Sequence, residues 1–103
     1  MTVQHADDQS FQAHIAQPGV VLVDFHASWC GPCKAMAPTL DMLAATTPGV
    51  RVVKVDVDQA PETAIAHRVR SVPTLVLFKD GQVLKTKSGA LSLAGLQDFV
   101  KAP

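Results

Sequence analysis

Tyrosine is absent from this 103-residue chain, tryptophan occurs once and cysteine twice, and neither sign of charge prevails, with nine Lys and Arg against nine Asp and Glu. Each scarcity excludes something. Balanced charge leaves no basic footprint for nucleic acid or for an anionic membrane surface. Two cysteines cannot supply the disulfide framework of a small secreted scaffold. Cys-x-x-Cys is also half of a zinc site, but no second such pair and no His-x-x-x-His spacing is present, and His5, His14, His26 and His67 are scattered, so no metal is expected. No stretch approaches the roughly 18 apolar residues of a membrane span. The first ten residues, MTVQHADDQS, have neither the basic flank nor the apolar centre of a secretion signal, so a cytoplasmic protein is expected. Residues 1–103 are expected to form a single domain, long enough for one core and too short for two.

Both cysteines fall in one stretch, Trp29-Cys30-Gly31-Pro32-Cys33, between an apolar run and a helix-like pattern. Thiols at i and i+3 lie on one face of a helical turn, with Cα atoms roughly 5–6 Å apart, which suits a disulfide. A loop this short gives only about 2 kcal/mol of chain-entropy stabilisation, so the pair is a poor staple and a good switch. Cys30 is placed at the helix N-cap, where unpaired amides and the positive end of the helix dipole favour a thiolate. Its pKa should therefore lie below the about 8.5 of a free cysteine. Cys30 is the expected nucleophile and Cys33 the thiol that resolves a mixed disulfide. Pro32 fits a helix start, where its missing N–H costs nothing.

In chain order, a helix is expected from Asp7 to about Gln17, capped by Asp7 or Asp8, with Phe11 and Ile15 inward. Val20 to Ala27 is nearly all apolar and β-branched, the mark of a strand buried on both faces, and Asp24 is the anomaly in it. A helix from the cysteines to about Thr47 should bury Met36, Ala37, Leu40, Leu43 and Ala44; Pro38 either kinks it or splits it in two. Val52 to Val57 alternates as a strand, and Pro61 opens a helix through about Arg68 with Glu62 in its first turn. Thr74 to Lys79 and Val83 to Lys87 form a hairpin around Asp80-Gly81, and Ser92 caps a last helix that turns Leu93, Leu96, Phe99 and Val100 inward. A short first strand near Val3 is weakly signalled. The fold class is α/β, with the dithiol at the carboxyl end of a central strand.

The stretch VVLVDFHASWCGPC, followed by CKAMAPTLDMLA, VVKVDVD, VRSVPTLVLFKDG and SGALS, resembles the thioredoxin family from about residue 7 to about residue 100. The resemblance implies a three-layer fold with a central mixed sheet of four or five strands flanked by four helices. It implies a protein disulfide reductase without a bound cofactor, recycled by an NADPH-dependent flavoprotein thioredoxin reductase, with disulfide-containing proteins as substrates and a monomeric state. Asp24, whose buried carboxylate should have a raised pKa, would accept and return the proton of Cys33, as its thioredoxin counterpart does. Lys54 would pair with Asp24. Pro73 would be the cis-proline opposite the dithiol, bringing Val72 alongside it so that its backbone pairs with an extended substrate segment. Trp29, Val72, Pro73 and Gly89 would border the docking surface. Gly31 and Gly89 would supply positive φ or close approach, whereas Gly81 is read as a hairpin residue.

His26 departs from the family, which usually has an aromatic there, and His67 and Ser71 stand where many members have Tyr and Gly. Strand alternation puts His26 on the face of Asp24, four residues before Cys30, either as a charge felt at the thiols or as a packing ring. Two other readings of the whole chain remain at this level. One is a binding module whose thiols are incidental. The other is an oxidant or isomerase, although such relatives usually carry a His-containing dipeptide between the cysteines in place of Gly-Pro.

Overall fold

The computed structural model describes residues 2–101. Nine elements follow one another: β1 (Gln4–Ala6), α1 (Phe11–Ile15), β2 (Val20–His26), α2 (Gly31–Thr46), β3 (Val50–Asp56), α3 (Pro61–Ala66), β4 (Thr74–Lys79), β5 (Gln82–Ser88) and α4 (Leu93–Phe99). The five strands form one sheet in the order β1-β3-β2-β4-β5. β3 runs parallel to both β1 and β2, while β4 is antiparallel to β2 and to β5. This is the expected mixed sheet with four helices, and its first strand is real though only three residues long.

Alternation along the strands divides the interior into two layers. On one face Leu22, Val52, Leu75 and Leu77 pack against Met36, Leu40 and Leu43 of α2 and against Leu96 and Val100 at the end of α4. On the other face Val21, Val23, Phe25, Val53, Val55, Val76 and Phe78 meet Phe11 and Ile15 of α1 and Ala60 at the start of α3. The continuous apolar run of β2 is thereby explained, because its central strand is covered on both sides.

Several boundaries differ from the expected ones. α1 begins at Phe11 because residues 7–10 form its capping turn: Asp7 Oδ1 accepts the N–H groups of Gln9 and Ser10 at 3.0 and 2.8 Å, and Ser10 Oγ accepts the Asp7 N–H at 3.0 Å. Asp8 caps a different helix. Its Oδ1 accepts the Thr63 N–H at 2.8 Å and the Thr63 hydroxyl at 2.7 Å, and Oδ2 accepts the Glu62 N–H at 3.3 Å, so it closes the start of α3. The Thr63 hydroxyl is the main reason that the Asp8 carboxyl is held below its usual pKa.

α2 is one helix of 16 residues with Pro38 inside it. The proline removes a single bond, to the Lys34 carbonyl, while the packed side of the helix continues across it. Ala37, expected in the core, is half-buried and faces a crevice beside Cys33. The Asp80-Gly81 hairpin forms with positive φ at both residues, 53° and 79°, as a tight two-residue turn requires.

Candidate active site

β2 ends at His26, and the chain passes through Ala27, Ser28 and Trp29 to Cys30, the N-cap of α2. Cys30 has extended backbone, φ −89° and ψ 111°, which frees its side chain to face the first turn. There its Sγ accepts the N–H of Cys33 at 3.2 Å. Pro32, in the first turn, has no N–H to satisfy. The two cysteines are joined as a disulfide with their Cα atoms 5.2 Å apart, and both are buried together with Ala27 against Val57 and Val72. The amide that meets Cys30 Sγ stabilises negative charge on that sulfur once the disulfide opens.

The Val72–Pro73 peptide is cis, and the Val72 carbonyl oxygen lies 3.7 Å from Cys30 Sγ. The Pro73 carbonyl accepts the N–H of Gly89 at 2.9 Å, which ties the start of α4's approach loop to this segment. Gly89 has φ +96°, where other residues are strained. Through that bond it anchors Pro73. Gly31 uses neither positive φ nor a close approach, since among the described residues no other part of the chain lies within 4 Å of the place where its Cβ would be.

Trp29 is 69% exposed. Its indole N–H donates to Asp58 Oδ2 at 2.9 Å, and the Asp58 N–H in turn donates to Asp56 Oδ1 at 2.9 Å. Beside it runs a groove of about 150 Å³ lined by Trp29, Val57, Val69, Arg70, Ser71 and Val72. Asp58 and Arg70 were not among the residues expected at the site. Asp58 lies 29 residues from Trp29, and only the parallel pairing of β2 with β3 brings the loops after the two strands together.

Asp24 has no solvent exposure, and neither carboxylate oxygen has a hydrogen-bond partner among the described residues. Burial pushes its pKa up to about 6, with the charge of Lys54 acting in the opposite direction. Lys54 is the register neighbour of Asp24 on β3, and His26 follows two residues later on the same face. A crevice of about 330 Å³ opens here, lined by His26, Ala27, Ser28, Cys33, Lys34, Ala37 and Lys54. Burial, and secondarily the Lys54 charge, hold the His26 imidazole below its usual pKa. His67 is elsewhere, on the opposite face of the sheet, with its ring 5.1, 5.9 and 5.6 Å from those of Phe11, Phe25 and Phe78. Half-buried, it packs as a ring at the edge of this aromatic layer. Among the described residues no group of three or more His, Cys, Asp or Glu gathers as a metal site would require.

A disulfide that joins the N-cap of a helix to its first turn, with a cis-proline segment against it and an apolar groove alongside, defines a thiol–disulfide oxidoreductase. The thioredoxin family model matches residues 2–102. The thioredoxin of Bacillus subtilis is 46% identical over 101 residues, covering 97% of this chain and 96% of that one. The thioredoxin of Chlamydia trachomatis is 47% identical over 87 residues, 84% of each chain. Among solved structures, a mutant thioredoxin from Halobacterium salinarum NRC-1 superposes with a TM-score of 0.91 at 36% identity, covering 96% of this chain and 88% of the other. The chain belongs to the thioredoxin family. It is a dithiol–disulfide reductase that reduces protein disulfides through Cys30 and Cys33 and is itself recycled by a reductase.

Proposed function

We infer that Cys30 is the attacking thiol and Cys33 the resolving one. The observation that carries this assignment is the Cys33 N–H aimed at Cys30 Sγ from the first turn of α2. In the first step the Cys30 thiolate attacks one sulfur of a substrate disulfide. A Cys30–substrate bond forms, the substrate S–S bond breaks, and the departing thiolate takes a proton from water. In the second step the Cys33 thiol gives its proton to the Asp24 carboxylate, and the resulting thiolate attacks the Cys30 sulfur. The Cys30–Cys33 disulfide forms as the Cys30–substrate bond breaks, and the second substrate sulfur departs as a thiolate that takes a proton from water, so the substrate leaves as a dithiol carrying the electron pair.

Asp24 suits this proton transfer because a carboxyl near pKa 6 is ionised at neutral pH yet basic enough to hold a proton transiently. Lys54 holds the ionised form in place electrostatically. Trp29, Val72 and Pro73 form the docking edge, on which an extended substrate segment pairs with exposed backbone and lays its apolar side chains along the groove. Pro32 and Gly31 shape the turn, and Gly89 supports Pro73. The electrons come from NADPH through a flavoprotein thioredoxin reductase. The protein works as a monomer and a single domain, residues 1–103, in the cytoplasm, without a bound cofactor.

The test is trapping. Cys33→Ser should accumulate a covalent adduct with a disulfide-bonded protein substrate through Cys30, and Cys30→Ser should accumulate none. Faster alkylation of Cys33 than of Cys30 near neutral pH would reverse the two roles. Turnover of an insulin-type substrate with NADPH and a flavoprotein reductase tests the recycling partner.

A further inference from the structure

Asp24 is sealed from solvent and makes no hydrogen bond among the described residues, so a proton it takes from Cys33 cannot leave directly to bulk water. The crevice beside it offers a route. His26 and Lys54, both on the rim of that crevice, are the residues next to Asp24 along its own strand and across the sheet. Residues i and i+2 of a strand share a face about 7 Å apart at the backbone, a gap that two side chains, or two side chains and one water, can close. Cys33 lines the same crevice from α2.

We propose that the imidazole of His26 is the proton relay between the buried Asp24 carboxyl and bulk water, working through the crevice it shares with Cys33 and Lys54. The proposal rests on the reading of Asp24 as acceptor of the Cys33 proton. The balance is simple: neutral Asp24 gives its proton to one ring nitrogen of His26, the other ring nitrogen releases a proton to water, and both groups return to their starting charge. When the reductase reopens the Cys30–Cys33 disulfide, the same path runs inward.

The groups facing His26 favour this assignment. Lys54 on β3 and Lys34 on α2 are cations without an acceptor site, and the Ser28 hydroxyl does not ionise in this range. Asp56 on β3 and His5 on β1 act on His26 electrostatically, but neither lines the crevice. Burial and Lys54 keep the imidazole neutral near pH 7, with one nitrogen as acceptor and the other as donor. Burial acts on both groups, raising the pKa of Asp24 to about 6 and lowering that of His26. An aromatic hydrocarbon ring at this position could fill the space and could not carry the proton.

The experiment is stopped-flow reaction of the reduced protein with excess of an aromatic disulfide whose thiolate is coloured, in buffer without imidazole. The fast phase reports attack by Cys30, and the second phase reports resolution by Cys33. For His26→Phe and His26→Gln, both checked for native melting, the second phase should slow by at least about tenfold, and added free imidazole should restore it. A second phase within about twofold of wild type in both variants would overturn the proposal, because general acid–base groups contribute far more than that. So would a slow phase that imidazole leaves unchanged, which is what a merely structural role predicts. Asp24→Asn is the control for the underlying reading: a wild-type second phase there removes Asp24 as acceptor, whatever the His26 variants do, whereas a slow phase that imidazole cannot restore places Asp24 before the relay, between Cys33 and His26.

Discussion

The two faces of the central strands are built on different terms. Toward α1 and α3, β2 and β3 present Val21, Val23, Phe25, Val53 and Val55, with Arg51 the one charged residue at the start of that row, and Phe11 and Phe78 with His67 close the layer. Toward α2 and α4 the same strands begin with Leu22 and Val52 and then change, as they approach the dithiol, to Asp24, His26 and Lys54. One face is therefore a continuous core. The other is a core at its far end and a charged, crevice-bearing site at the end where the strands meet α2. Residues one step apart in β2 thus answer to different demands, and the difference implies that stability and chemistry can be perturbed separately.

The largest effect should come from the closed face. Phe11, buried on α1, sits 6.2 Å from the Phe25 ring and 5.9 Å from the Phe78 ring. Phe11→Ala should cost about 3–5 kcal/mol, through lost transfer energy and the cavity left behind. That is a large part of the roughly 5–15 kcal/mol stability of a small domain. Denaturant unfolding measures the loss, and Phe11→Leu provides a milder companion. The disulfide-reducing rate per folded molecule should stay at the wild-type value. A fall in that rate matching the fall in stability would show that the two faces are coupled.

On the open face the expected effect is somewhat smaller and depends on pH. Asp24 titrates near 6 in the folded protein against 3.8 unfolded, so the native state holds the proton more tightly. Its favourable contribution is fully present below about pH 3.8 and is lost as pH rises through about 6. At about 1.4 kcal/mol per pKa unit the loss amounts to about 3 kcal/mol. The stability of Asp24→Asn relative to wild type should therefore grow by about that much between pH 4 and 7, while resolution by Cys33 slows. A difference that stays flat with pH would mean that the buried carboxyl finds a compensating partner in solution.

How much of this was legible in the sequence follows from how local each signal is. Cys30 and Cys33 announce themselves by spacing, and Asp24 by being charged inside an apolar run, so the attacking pair and its buried neighbour could be named from the chain alone. Asp80-Gly81 marks its own turn. What could not be read is what the fold brings together over distance. Asp7 and Asp8 stand as equal candidates to cap the helix that follows them; Asp7 does so, but the Asp8 carboxylate serves α3, with Thr63 55 residues away. The bond from Trp29 to Asp58 exists only because β2 and β3 run parallel and deliver their next loops to the same end of the sheet. Pro38 admitted two readings because its local effect, one missing hydrogen bond, is the same in both; packing of Met36, Leu40 and Leu43 on the sheet decides for one helix.

The smallest effect should come from comparing the two histidines that replace more usual aromatic residues. His67 lies among Phe11, Phe25 and Phe78 on the closed face, and burial alone lowers its pKa, although the carboxylates of Asp8 and Glu62 line the same hollow. A histidine held below its unfolded pKa is destabilising where it must be protonated, so its penalty is absent at neutral pH and grows as pH falls below about 6.5. His67→Phe should therefore leave stability nearly unchanged at pH 8 and become progressively stabilising toward pH 5, relative to wild type. Taking the difference between variant and wild type at each pH cancels the titrations of Asp24 and His26. Melting temperature against pH measures it, and the two-phase reaction with an aromatic disulfide should be the same for both proteins throughout. His26→Phe, on the open face, should slow resolution in that reaction. If His67→Phe slowed resolution as well, the separation of the two faces would fail at its most sensitive point, because a ring with no access to the crevice would be moving a proton inside it.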